Sequence, residues 1–101
     1  MSVTFHYGQL TATMLHQIGA MNVMAVSGGR WRELEPGVIE LPVAYGYRVE
    51  VAYDQMRDTY TVRRRWISGA RQAMKGEITD VHAGELGQVV YLASCYREPF
   101  G

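Results

Sequence analysis

Apolar residues recur four apart between Gln9 and Ile18, where Leu10, Met14 and Ile18 share one face with Leu15 beside them, a spacing that predicts a short helix. Gly19 then supplies a residue suited to the conformation that ends a helix. From Asn22 to Ser27 the run Val23-Met24-Ala25-Val26 is continuously apolar and of strand length, so it predicts a strand buried on both faces, closed by the turn residues Ser27-Gly28-Gly29. Residues 30–37 are polar and end in Pro36-Gly37, which reads as a loop. Val38 to Val43 reads as a second strand, with Pro42 pushing it toward an edge or a bulge.

Two runs have period two. Tyr47, Val49, Val51 and Tyr53 alternate with Arg48, Glu50 and Ala52, and Tyr60, Val62 and Trp66 alternate with Thr59, Thr61, Arg63 and Arg65. Joined through residues 54–58, they predict an antiparallel hairpin. Keeping the apolar faces together sets Tyr53 opposite Tyr60, Val51 opposite Val62 and Glu50 opposite Arg63. The same register turns Arg64 inward beside Val49, and its head is expected to reach water at the sheet margin. Gln72 to Ile78 adds a further short strand of weak pattern. Asp80 is placed to cap a last helix, in which Leu86, Val89, Val90 and Ala93 recur at three- and four-residue spacings between His82 and Tyr96. Helix, several antiparallel strands, then helix is the order of an α+β fold: one small domain over residues 1–101, with a sheet of three to five strands and its helices on one face.

Composition narrows the function classes. At 101 residues and 48% hydrophobic the chain supports one core, and the hydrophobic fraction is too high for a disordered segment. No apolar run approaches the roughly 18 residues that a membrane helix needs, and residues 1–7 lack the basic start and apolar stretch of an export signal, so no membrane role is expected. A single cysteine excludes an internal disulfide and any zinc site of several thiolates.

The junction Gln17-Ile18-Gly19-Ala20-Met21-Asn22-Val23-Met24-Ala25-Val26-Ser27-Gly28-Gly29-Arg30 resembles a pattern, roughly Q-L-G-G-N-x-F-x-A-M-T-G-A-K, found in a family of short phage- and plasmid-borne proteins of unknown function. Ile39-Glu40-Leu41-Pro42 and Asp58-Thr59-Tyr60 are similar to the family's later L-x-L-P strand end and D-T-Y strand start. Here Ala20 replaces the second glycine, Asn22 lies one position later, and Val23 stands where an aromatic is usual. The resemblance implies a mobile-element context, in a bacterial host cytoplasm, and carries no catalytic residues.

The candidate chemistry is sparse. His6, His16, His82 and Cys95 show no spacing that presents adjacent metal ligands, so no metal or other cofactor is expected. Gly28-Gly29-Arg30 lacks the longer glycine pattern of a phosphate loop and reads as a turn. Glu33, Glu35 and Glu40 read as a solvated acidic stretch rather than paired catalytic acids, and no enzyme is expected. Charge, by contrast, is segregated. Residues 57–75 hold six basic side chains against Asp58, while residues 33–54 hold five acidic ones against Arg48, within a chain of ten positive and ten negative charges. Either these stretches neutralise each other across the hairpin, or the basic strand faces a partner. Arg63, Arg65, Arg57, Arg71, Trp31 and Arg30 are therefore the candidate partner-binding residues. The first expectation is a non-enzymatic protein that binds and modulates or inhibits a host or phage protein. The second is a nucleic-acid-binding accessory using the Arg63 to Arg65 strand with nearby aromatics. Self-association is compatible with either.

Overall fold

The computed structural model describes residues 7–95. Helices α1 (Tyr7–Ile18) and α2 (Ala20–Ser27) lead into β1 (Arg32–Glu35) and β2 (Val38–Pro42); a 3-10 turn (Ala44–Gly46), β3 (Tyr47–Asp54), β4 (Thr59–Ser68), β5 (Arg71–Val81) and α3 (Ala83–Ser94) follow. The five strands form one antiparallel sheet in the order β1-β2-β3-β4-β5. All three helices contribute to one core with the inner face of that sheet, where Met14, Ile18, Val23, Leu86 and Val90 meet Ile39, Leu41, Val49, Val51, Tyr60 and Val62. The α+β reading therefore holds. No helix among the described residues is long and apolar enough to cross a membrane.

The β3–β4 hairpin has the register its alternation demands, with Tyr53↔Tyr60, Val51↔Val62, Glu50↔Arg63 and Val49↔Arg64. A one-residue slip would have turned every buried valine to solvent. Asp54 accepts from the backbone N–H groups of Met56 and Arg57 at 3.1 and 3.3 Å, which closes the loop.

Four expectations are corrected. The run at residues 22–27 lies in helix α2, not in a strand: Val23, Val26 and Ser27 are buried three and four apart, while Met21 and Met24 face outward. An uninterrupted apolar run is ambiguous by period, and this one looks two-sided because its outer face is also apolar. Residues 32–35 form a strand where a loop was expected, and all four are exposed, so no alternation announces them. Asp80 does not cap α3; it belongs to β5 at φ 56° and pairs with Arg57, and His82 occupies the cap, its N–H held by Glu85 Oε1 at 3.1 Å. Arg64 is buried and donates to the Cys95 carbonyl at the C-terminal end of α3, where the helix dipole favours a cation, rather than reaching water at a margin.

Three smaller features have local causes. Strand β5 runs to eleven residues, and register shifts between Arg64/Arg65 and between Tyr60/Val62 break its period, which is why its pattern is weak. Pro42 closes β2 beyond the last residue that pairs with β1, Glu40, so its missing N–H faces no neighbour strand. Gly19 lies between α1 and α2 at φ 95°, ψ 135°, a conformation open to glycine, and its N–H still bonds Leu15 O at 2.9 Å while its carbonyl accepts from Val23 at 3.0 Å.

Candidate functional site

The outer face of the sheet carries a row of charge across all five strands: Arg32, Glu40, Glu50, Arg63 and Glu77 are successive cross-strand neighbours. Glu40 and Glu50 stand directly opposite each other, an arrangement that repels unless each carboxylate is neutralised by cations of its own. Each is. Arg32 and Arg48 donate to Glu40 at 2.9 and 3.2 Å, and Arg63 and Arg65 donate to Glu50 at 3.1 and 3.3 Å. The arginine stems cover both carboxylates, leaving each glutamate side chain 8% exposed. Arg63 also binds Glu77 at 2.6 Å, and these partners raise its pKa against the opposing effect of its own burial.

Of the two readings of the segregated charge, internal neutralisation thus describes Arg63 and Arg65. Arg65 in addition donates to Gln72 at 3.2 Å. Arg57 lies in the hairpin loop and pairs with Asp80 at 2.9 Å, which raises its pKa. Arg71 is exposed at the start of β5, opposite Ser68. Reversing Arg63 and Arg65 to Glu should therefore cost stability, because two new carboxylates would crowd Glu50 and Glu77. A loss of about 2–3 kcal/mol in chemical denaturation is expected, between the values for exposed and buried pairs. Adding Glu50→Gln should recover part of it; an unchanged midpoint would show these pairs to be fully solvated.

Trp31 and Arg30 are brought together at a different place. Just ahead of β1, the Trp31 side chain walls two cavities. One is a groove of about 390 Å³ lined by Leu15, His16, Ala20, Val23, Met24 and Gly29, and it continues along α2 past Met21 and Ala25. The other is a cup of about 240 Å³ lined by Arg30, Arg32, Glu40, Pro42 and Arg48. Met21 is 87% exposed, Met24 64% and Trp31 44%, so a flexible, polarizable apolar stripe lies beside a rigid aromatic on open surface. Sequence reasoning singled out Trp31 and Arg30 but missed the methionines, because reading residues 22–27 as a doubly buried strand put Met24 inside. It missed Arg32 and Arg48 because their strand partners become visible only with the register.

A third cavity, of about 260 Å³, separates α1 from the hairpin loop and is lined by Gln9, Leu10, Thr13, Gln17, Tyr53, Asp58 and Tyr60. Its two tyrosine hydroxyls are engaged within the fold: Tyr60 donates to Gln17 Oε1, and Tyr53 donates to Asp58 Oδ1 at 2.7 Å. The bond to Asp58 pushes the Tyr53 pKa up to about 12, and burial raises that of Tyr60. The two rings pack tilted with centroids 5.3 Å apart. The Tyr60–Gln17 bond ties α1 to the sheet. Among the described residues, no group of three or more His, Cys, Asp or Glu side chains could hold a metal ion. No protein-family model, curated protein or solved structure matches the chain.

Proposed function

We propose that this is a non-enzymatic accessory protein of a phage or another mobile element, acting in the bacterial host cytoplasm by binding a host or phage protein and modulating or inhibiting it. The partner docks on the surface formed by α2 and Trp31. The observation that carries this reading is the contiguous exposure of Met21, Met24 and Trp31 along a groove, since apolar surface of this kind is the usual anchor of a protein interface. The mobile-element context rests on the glycine-centred junction at residues 17–30. Nucleic-acid binding through Arg63 and Arg65 is the weaker reading, because both guanidinium groups are already committed to Glu50, Glu77 and Gln72.

The test compares wild type with a Met21→Lys, Met24→Lys double variant, whose exposed positions leave the core untouched. In nuclease-treated host lysate the wild type should retain a protein partner at about 200 mM salt, because desolvated apolar contacts are weakly screened, and the variant should lose it. Capture that nuclease abolishes, or that both proteins show equally, would overturn the reading.

A further inference from the structure

The two charge clusters on the outer sheet face differ in balance. Around Glu50, two guanidinium groups, Arg63 and Arg65, meet two carboxylates, Glu50 and Glu77. Around Glu40, Arg30, Arg32 and Arg48 line one cup with a single carboxylate, a local excess of two positive charges. Both pairs to Glu40 fall on the same oxygen, Oε1. Among the described residues, the Arg30 guanidinium group donates only through its Nε, to the Ser27 carbonyl at 3.2 Å, and meets no carboxylate. Of the two acidic residues of β1, Glu33 pairs with Ile39 of β2 and accepts from Thr11 of α1, on the opposite face, and Glu35 shares the outer face but lies opposite Val38, two residues beyond Glu40, and does not line the cup. A local excess of positive charge therefore lies against Trp31, and across that ring lies the Met24 groove.

We infer that the cup is a carboxylate-binding site and that the docking partner is a polypeptide segment carrying an apolar side chain for the groove and an Asp or Glu beside it for Arg30, Arg32 and Arg48. The inference rests on the proposed docking surface and names the chemistry of its occupant. A guanidinium binds a carboxylate through charge-assisted, often paired, hydrogen bonds, and the fork of Arg32 or Arg48 is already oriented by Glu40. The Trp31 ring forms one wall of the cup beside that contact. A polypeptide fits better than a nucleic acid. Two excess charges offer two phosphate contacts at most, and a methionine-lined groove has no use for a phosphodiester backbone.

The experiment pans a random dodecapeptide display library on the purified full chain, then measures recovered peptides and their Glu→Gln or Asp→Asn analogues by fluorescence anisotropy, with oligothymidine as a parallel probe. Recovered peptides should pair an aliphatic or aromatic residue with an acidic one, and neutralising the acid should weaken binding about tenfold, the effect of losing one charged hydrogen bond. In Arg30→Gln, Arg32→Gln, which leaves Arg48 on Glu40, that preference should shrink to within about twofold. Met24→Lys should weaken binding of both the acidic peptide and its neutral analogue. If the peptides need Met24 but bind equally with and without the acid, the groove stands and the carboxylate site is refuted. If no peptide is recovered, or binding ignores Met24, the docking surface itself is refuted. Oligothymidine binding tighter than any peptide, and weakening about tenfold between roughly 50 and 200 mM salt, would replace the polypeptide by a nucleic acid.

Discussion

Replacing Val51 by aspartate should abolish the cooperative thermal transition. Val51 is fully buried in the middle strand of the sheet, with Ile39 and Val62 as its cross-strand neighbours. An aspartate there would place a carboxylate among aliphatic side chains with no donor in register. Such a group costs several kcal/mol whether it stays charged or takes up a proton, against a total stability of about 5–15 kcal/mol for a domain of this kind. The adjacent Ala52→Asp is the control. Ala52 lies on the outer face between Val38 and Thr61, so its aspartate can turn to water, and a loss within about 1 kcal/mol is expected. Circular dichroism melts of the two variants report on the faces directly. A cooperative melt for Val51→Asp near the wild-type Tm would mean the hairpin presents its other face to the core.

That pair of variants also marks what the sequence makes legible. The hairpin and its register could be read because each strand has one wet and one dry face, and only one alignment keeps Val49, Val51, Tyr60 and Val62 together. Helix α3 could be read for the same reason, at the period of a helix. Legibility stops where the faces are not chemically distinct. Strand β1 is wet on both sides, β5 changes phase at its bulges, and α2 is apolar on both sides. The last of these hid the candidate docking surface, since an outward methionine at position 24 has the same letter as an inward one. The outer-face charge network was half legible. Glu50 opposite Arg63 follows from the hairpin alone, whereas Glu40, Arg32 and Arg48 depend on how β2 and β1 add to its edge.

The second large effect is expected in α3, where two glycines three residues apart should respond to alanine with opposite sign. A Cβ on Gly84 would meet nothing within 4 Å, whereas a Cβ on Gly87 would sit 2.4 Å from the Ile18 carbonyl oxygen and 2.6 Å from Asn22 Nδ2. Neither obstacle is a loose side-chain end. The Ile18 carbonyl is backbone at the end of α1, and Asn22 is fixed by donating to that same carbonyl at 2.9 Å across the Gly19 turn. Gly87 is thus where α3 crosses the α1–α2 junction at backbone contact. Gly87→Ala must push the helices apart and open the core around Ile18, Leu86 and Val90, a strain of about 1–3 kcal/mol or more. Gly84→Ala, which restricts the unfolded chain and meets no obstacle, should stabilise by up to about 1 kcal/mol. Urea denaturation of both variants measures the contrast. Equal shifts for the two alanines would show that α3 does not approach the junction this closely; a loss confined to Gly87→Ala would establish the three glycine- and asparagine-bearing positions 19, 22 and 87 as one packing unit. The same junction sets the angle at which α2 leaves α1, and so the direction in which Met21 and Met24 project. A Gly87→Ala protein that remains folded in the cold should therefore also bind the partner proposed for α2 more weakly, although residue 87 is not among the residues lining the groove.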